Sequence, residues 1–153
     1  MNPIPLPAAG GCRCGSVRFE VTAQPWLTSV CHCRGCQKMT GSAFATTATI
    51  PTDGFAVTSG ATVVGGMRAR PQHNMCPDCM SWVYTSFGGK VVNIRATMFD
   101  DPSWFAPFIE VQCAEKLPWA ETRARYAFDR EPDSDAFSAA CDEYEALIDS
   151  KEH

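Results

Sequence analysis

The sequence has no apolar run approaching the ~20 residues that cross a bilayer, no internal repeat and no low-complexity tract. It has no surplus of positive charge either: 13 Lys and Arg stand against 17 Asp and Glu, for a formal net charge of −4. A nucleic-acid partner would require a basic face, so this balance speaks against one. The opening stretch, MNPIPLPAAGG, contains three prolines, no basic residue before Arg13 and no continuous apolar segment, and so lacks the parts of a secretory signal. Together these absences lead us to expect a cytoplasmic protein with no membrane or nucleic-acid partner. At 153 residues the chain fits one domain, and folding at this length buries roughly two-thirds of the surface an unfolded chain exposes.

Cysteine, by contrast, is abundant, with nine residues. In a reducing compartment disulfides are rare, and an odd count argues against a fully paired framework. Metal binding is the leading explanation.

The chain reads as mainly β. Ser16 to Thr22, SVRFEVT, alternates with Val17, Phe19 and Val21 on one face and Ser16, Arg18 and Glu20 on the other. AFATTATI, FAVTSG, ATVVGG, SWVYTSF, KVVNIRA and PFIEVQC are equally short, rich in β-branched or aromatic residues, and bounded by Gly, Pro, Asp or Ser. The pattern predicts antiparallel strands joined by frequent turns. Helix is scarce until the end, where Phe137, Ala140, Cys141, Tyr144, Leu147 and Ile148 fall at helical spacing behind Asp133 or Ser134 as a cap. A short helical turn is expected after Cys33. The resulting organisation is an extended N-terminal tail over residues 1–9, a zinc-binding β domain over 10–130, and a C-terminal helix over 131–153. That helix packs on the domain or on a second subunit, as in a homodimer.

Seven cysteines form three groups: Cys12 and Cys14 as C-R-C, Cys31, Cys33 and Cys36 as C-H-C-R-G-C, and Cys76 and Cys79 as C-P-D-C. In extended C-x-C both sulfurs point to one side, and in C-x-x-C a tight turn brings them together, so each outer pair is half of a tetrahedral site. The central triplet can supply three ligands by itself. Structural zinc takes four protein ligands, whereas catalytic zinc usually takes three and leaves a position for water or substrate. We therefore expect two zinc ions per chain: a closed site of Cys12, Cys14, Cys76 and Cys79, and an open site of Cys31, Cys33 and Cys36.

The bland alternative is that both ions are structural, with His32 or the more distant His73 closing the second site. In an extended segment His32 points away from its flanking cysteines, which disfavours it. Seven thiolates and two dications bring the formal charge of −4 to about −7. Arg13, Arg34 and Lys38 lie within or beside the motifs as compensating cations. Cys113 shares its alternation with Ile109 and Val111 and reads as a packed thiol, as does Cys141 on the stripe of the last helix.

GGCRCGSVRFEV, VCHCRGCQKMTGSAF, MCPDCM, IRATMFDDPSWFAP and EKLPW, in that order, resemble the glutathione-dependent formaldehyde-activating enzyme family, which includes centromere protein V-like zinc proteins. The similarity spans about Gly10 to Trp119, and the combination is far more specific than any piece. The resemblance implies a fold of small coiled β-sheets related to methionine-R-sulfoxide reductase. It also implies structural zinc on Cys12, Cys14, Cys76 and Cys79 and a second zinc on Cys31, Cys33 and Cys36.

The implied activity is that of a carbon-sulfur lyase. The partners would be a small thiol such as glutathione and a small aldehyde such as formaldehyde, joined as in S-(hydroxymethyl)glutathione. Arg34, Lys38 and Arg95 are candidates to receive the thiol's carboxylates, although Arg95, alternating with Val92 and Ile94, reads more simply as a solvated cation. The chain departs from the family in carrying Met80 where glycine commonly follows the C-x-x-C pair, and in the GGMRARPQH segment before it. The competing class is a non-enzymatic zinc module that binds protein through the exposed face of its last helix. A redox role for Cys113 is a third reading, weakened by the absence of a nearby basic setting.

Overall fold

The computed structural model describes residues 1–66 and 71–152; Met67 to Arg70, within the GGMRARPQH segment, lie outside the described residues. Two sheets organise the chain. In the smaller, β1 (Ala8–Gly11), β2 (Arg18–Val21) and β5 (Phe55–Ser59) run antiparallel with β2 central. Among the described residues the larger has eight strands. Its order is β11 (Tyr126–Ala127), β10 (Ile109–Val111), β3 (Leu27–Cys31), β4 (Ala45–Pro51), β9 (Val91–Ile94), β8 (Trp82–Ser86), β7 (Gln72–Met75) and β6 (Val63–Gly65).

The mainly β architecture with a C-terminal helix matches the sequence reading, with one difference. β10 runs parallel to both β3 and β11, where short strands and turns suggested antiparallel pairing throughout. Parallel partners need long crossovers: most of the strands of the fold lie between β3 and β10, and a stretch with a short 3₁₀ turn lies between β10 and β11, so neither pairing carries a local signal.

Alternation in β2 does what the sequence pattern requires: Phe19 and Val21 are buried while Glu20 faces solvent. Phe19 meets Phe99 edge-on at 5.3 Å and Phe55 at 5.8 Å. This packing explains β1, whose AAGG has no strand signature. A Cβ at Gly10 would stand 2.3 Å from the Phe19 ring and 2.4 Å from the Met98 carbonyl, so the close approach demands glycine. The expected tail boundary at residue 9 falls inside this strand, because Ala8 and Ala9 pair with Val21 and Glu20. Further out, Ile4 is buried, its amide donating to Gln24 Oε1 and its carbonyl accepting from Gln24 Nε2.

One core lies between the sheets, with Val17, Phe19, Ile50, Val83, Ile94 and Trp104 among its members, and Cys12 and Cys76 belong to it. A second core joins Leu27, Phe108, Ile109 and Val111 to Ala140, Tyr144 and Ile148 of α2 (Ser134–Glu152). The apolar stripe of the last helix thus covers the chain's own β core. Asp133 Oδ1 accepts from the Ala136 amide at 2.9 Å, capping its first turn. Among the described residues no helix is long and apolar enough to cross a membrane.

Candidate metal centres and the adjoining cavity

The two outer cysteine pairs meet. Cys12 and Cys14 enter on the turn after β1, and Cys76 and Cys79 on the turn between β7 and β8. Their four sulfurs lie within 4.8 Å of one another. Cys14 Sγ is 3.5 Å from Cys12 Sγ and 3.7 Å from Cys76 Sγ, and a tetrahedron of Zn–S bonds places sulfurs about 3.8 Å apart. The surroundings suit thiolates: the Val17 amide donates to Cys12 Sγ at 3.2 Å, and Cys79 Sγ lies 3.2 Å from the Ser81 hydroxyl. Hydrogen bonding from Ser81, by side chain and backbone, draws the Cys79 thiol down to about 5. Donor type, spacing and hydrogen bonding all fit a soft tetrahedral ion.

Met80, the residue after the C-x-x-C pair, holds this turn. It adopts φ 58°, and its amide donates to the Cys76 carbonyl at 3.0 Å. Holding a side chain in the left-handed region costs about 1–2 kcal/mol. The Met80 side chain is largely exposed.

The triplet is local. Cys31 ends β3, and Cys33 caps α1 (Arg34–Thr40) by accepting from the Cys36 amide at 3.3 Å. Gly41 closes the helix at φ 61°. The sulfurs of Cys31, Cys33 and Cys36 lie within 4.8 Å of one another. Cys36 donates to Cys31 and draws its thiol down to about 6, and the same contact pushes Cys36 upward.

Neither candidate histidine joins this set. His32 is fully buried on the opposite side of the strand, its Nε2 3.0 Å from Glu110 Oε2 and its ring edge-on to Phe44 at 5.4 Å. His73 Nδ1 lies 3.0 Å from Thr85 Oγ1, with its ring edge-on to Trp82. His32 thus points away from its flanking cysteines, toward Glu110.

The structure corrects the setting of Cys113, which alternation with Ile109 and Val111 places on a packed strand face, and brings its neighbour Glu110 into a buried network. Glu110 is buried and accepts from Lys116 Nζ at 2.8 and 3.0 Å and from Thr122 Oγ1 at 2.8 Å. Cys113 has left the strand: Gln112 turns through φ 58° and Cys113 begins a short 3₁₀ turn, half-buried. Burial raises its thiol above the ordinary value. His32, Glu110 and Cys113 also have donor atoms within 4.8 Å, yet Lys116 already supplies the cation that Glu110 needs. Alternation alone could not show that a cross-strand histidine and a distant lysine converge on this carboxylate.

A buried cation that was not among those expected to compensate the thiolates also bears on the triplet. The Arg34 guanidinium donates to Gln37 Oε1 at 2.9 Å, and Arg13 and Lys38 are exposed. Arg95, read as solvated, is instead 6% exposed: it is still extended just beyond Ile94, its amide donating to the Val83 carbonyl at 3.0 Å, and Trp82 covers its side chain. Its guanidinium lies 4.2 Å above the Trp82 ring, and burial lowers it to about 10 while Cys36 and Cys31 act to keep it charged. Arg95 and Trp82 line a cavity of about 460 Å³. Met39 and Thr40, from the helix of Cys36, and Met80 and Ser81, following Cys79, also line it, so it adjoins both cysteine clusters. Ala45, paired with Cys31, completes that side.

A solved crystal structure of a Rhodobacter sphaeroides protein is similar to the chain at 17% identity and a TM-score of 0.49, covering 78% of this chain and 98% of that one. No curated protein matches it. The family model described as glutathione-dependent formaldehyde-activating enzyme matches residues 7–115, well over half of the chain and inclusive of all seven clustered cysteines. On that match, the protein belongs to the glutathione-dependent formaldehyde-activating enzyme family.

Proposed function

We propose that this protein is a zinc-dependent carbon-sulfur lyase that adds a small thiol, such as glutathione, to a small aldehyde, such as formaldehyde, and catalyses the reverse step. The observation that carries this reading is the contrast between the two clusters: four sulfurs in one, three in the other, with the nearest histidine turned to Glu110. Cys12, Cys14, Cys76 and Cys79 would hold a structural zinc, and Cys31, Cys33 and Cys36 a second ion with a position left for substrate.

Zinc bound by three thiolates is a weak Lewis acid suited to stabilising a substrate sulfur as thiolate. The overall addition balances as S–H across C=O: the substrate sulfur would bond to the aldehyde carbon, the carbonyl π pair would go to oxygen, and the thiol proton would end on the product hydroxyl. The cysteines of the chain act as ligands and not as nucleophiles. Burial among Phe44 and β3 holds His32 on Glu110, out of the open position. The Cys36 amide, donating to Cys33 Sγ, orients that ligand and offsets part of its charge.

The test is exchange NMR of glutathione with formaldehyde, alongside zinc analysis. The zinc-loaded chain is expected to accelerate hemithioacetal formation over the spontaneous rate, and Cys33→Ser to abolish the acceleration with loss of one zinc. Two zinc ions with no acceleration would instead identify a binding module.

A further inference from the structure

The three-sulfur centre is local in its ligands but not in its support. His32 stands between Cys31 and Cys33, and all three of its bonded polar groups are held from outside the triplet. Its amide donates to the Val111 carbonyl at 3.0 Å, its Nε2 meets Glu110, and its carbonyl accepts from Gln37 Nε2 at 2.6 Å. The same Gln37 nitrogen donates to the Glu115 carbonyl at 3.0 Å, while Gln37 Oε1 accepts from the Arg34 guanidinium at 2.9 Å. The Glu115 carboxylate accepts from the Arg34 amide, at the start of α1.

These bonds grip the chain at the residues next to the sulfurs. Arg34 follows Cys33 and Gln37 follows Cys36, so Glu115 and Gln37 fix the backbone just beyond two of the three ligands. Helices shorter than about 12–15 residues are marginal in water, and α1 has seven residues, none of them buried. Neither length nor burial of its own side chains therefore holds it in place. The four-sulfur cluster is supported differently, by the Val17 amide and Ser81. We propose that Gln37 and Glu115 are positioning residues of the three-sulfur centre, preorganising its sulfurs for a metal ion from a turn 78 positions away in sequence.

This inference rests on reading the triplet as a metal centre, and the experiment separates the two. Zinc affinities of the full chain and of Gln37→Leu, Glu115→Ala and Glu115→Gln are measured by competition with chromogenic chelators of graded strength, with Tm followed in parallel. The triplet's zinc is identified as the one lost in Cys33→Ser. Outer partners of metal ligands contribute about 10–100-fold in affinity. Gln37→Leu and Glu115→Ala are each expected to weaken the triplet's zinc about tenfold and to leave the other zinc unchanged. Glu115→Gln keeps an oxygen able to accept from the Arg34 amide and is expected to recover most of the loss. Unchanged triplet affinity in either truncation, or Glu115→Gln as weak as Glu115→Ala, overturns the proposal. Equal losses at both sites with a fall in Tm also overturn it, since they mark a role in the fold alone. If one truncation does not fold, the other decides. A parent chain that binds one zinc removes the reading of the triplet and this inference with it, whereas two zinc ions with unchanged affinities remove the inference alone.

Discussion

Removing one ligand from each cluster should have very unequal effects on stability. The four-sulfur cluster ties together segments far apart in the chain, with Cys14 and Cys76 separated by 62 positions. The triplet closes only the short stretch from Cys31 to Cys36. Treating each bound ion as a cross-link, loop-closure entropy contributes about 4 kcal/mol for a loop of the first length and about 2 kcal/mol for the second. Cys76 is moreover fully buried in the core against which Val83 packs, whereas Cys33 is half-buried at the mouth of a short helix.

Cys76→Ser is therefore expected to destabilise the zinc-loaded chain by at least about 2 kcal/mol more than Cys33→Ser, a difference of about 4–8 °C in Tm. Urea unfolding followed by tryptophan fluorescence, with zinc release read by a chromogenic chelator, measures both. Equal losses, or a greater loss in Cys33→Ser, would refute the division into a structural and an open site.

Glu110→Gln weakens a buried network of His32, Lys116 and Thr122 and is expected to cost about 2–4 kcal/mol at neutral pH in the same urea assay. Burial pushes this carboxyl up, but hydrogen bonds from Lys116, Thr122 and His32 more than offset it and hold it below its ordinary 4.5. The stabilisation is thus full above pH 4.5 and lost as pH falls through the lower folded value. The gap between the parent chain and Glu110→Gln should narrow on acidification, and a constant gap down to about pH 3 would contradict the assignment. Tyr144→Ala is expected to cost about 3–5 kcal/mol, because Tyr144 is fully buried and meets Phe108 edge-on at 5.4 Å. A loss below about 1 kcal/mol by urea titration followed by circular dichroism would mean that α2 adds little to the second core.

The sequence by itself determined what local chemistry controls. C-x-C and C-x-x-C bring neighbouring sulfurs together because short spacings leave the chain few alternatives, and alternation in SVRFEVT sets which side chains of β2 are buried. The same rule turned His32 away from Cys31 and Cys33. The helical spacing of Phe137 to Ile148 identified α2, and the motif order identified the family.

Tertiary structure decided whatever depends on partners remote in sequence. The parallel pairing of β10 with β3 carries Glu110 to His32 across 78 positions, a meeting with no local signature. Gly10 makes β1 a strand only because Phe19 and the Met98 carbonyl occupy the space a side chain would need. Arg95 keeps the period of β9, its backbone still extended and its amide still bonded to Val83, but the face it lies on is covered, with Trp82 against its guanidinium. Periodicity assigns a residue to a face of its sheet; long-range packing decides whether that face meets solvent or other side chains.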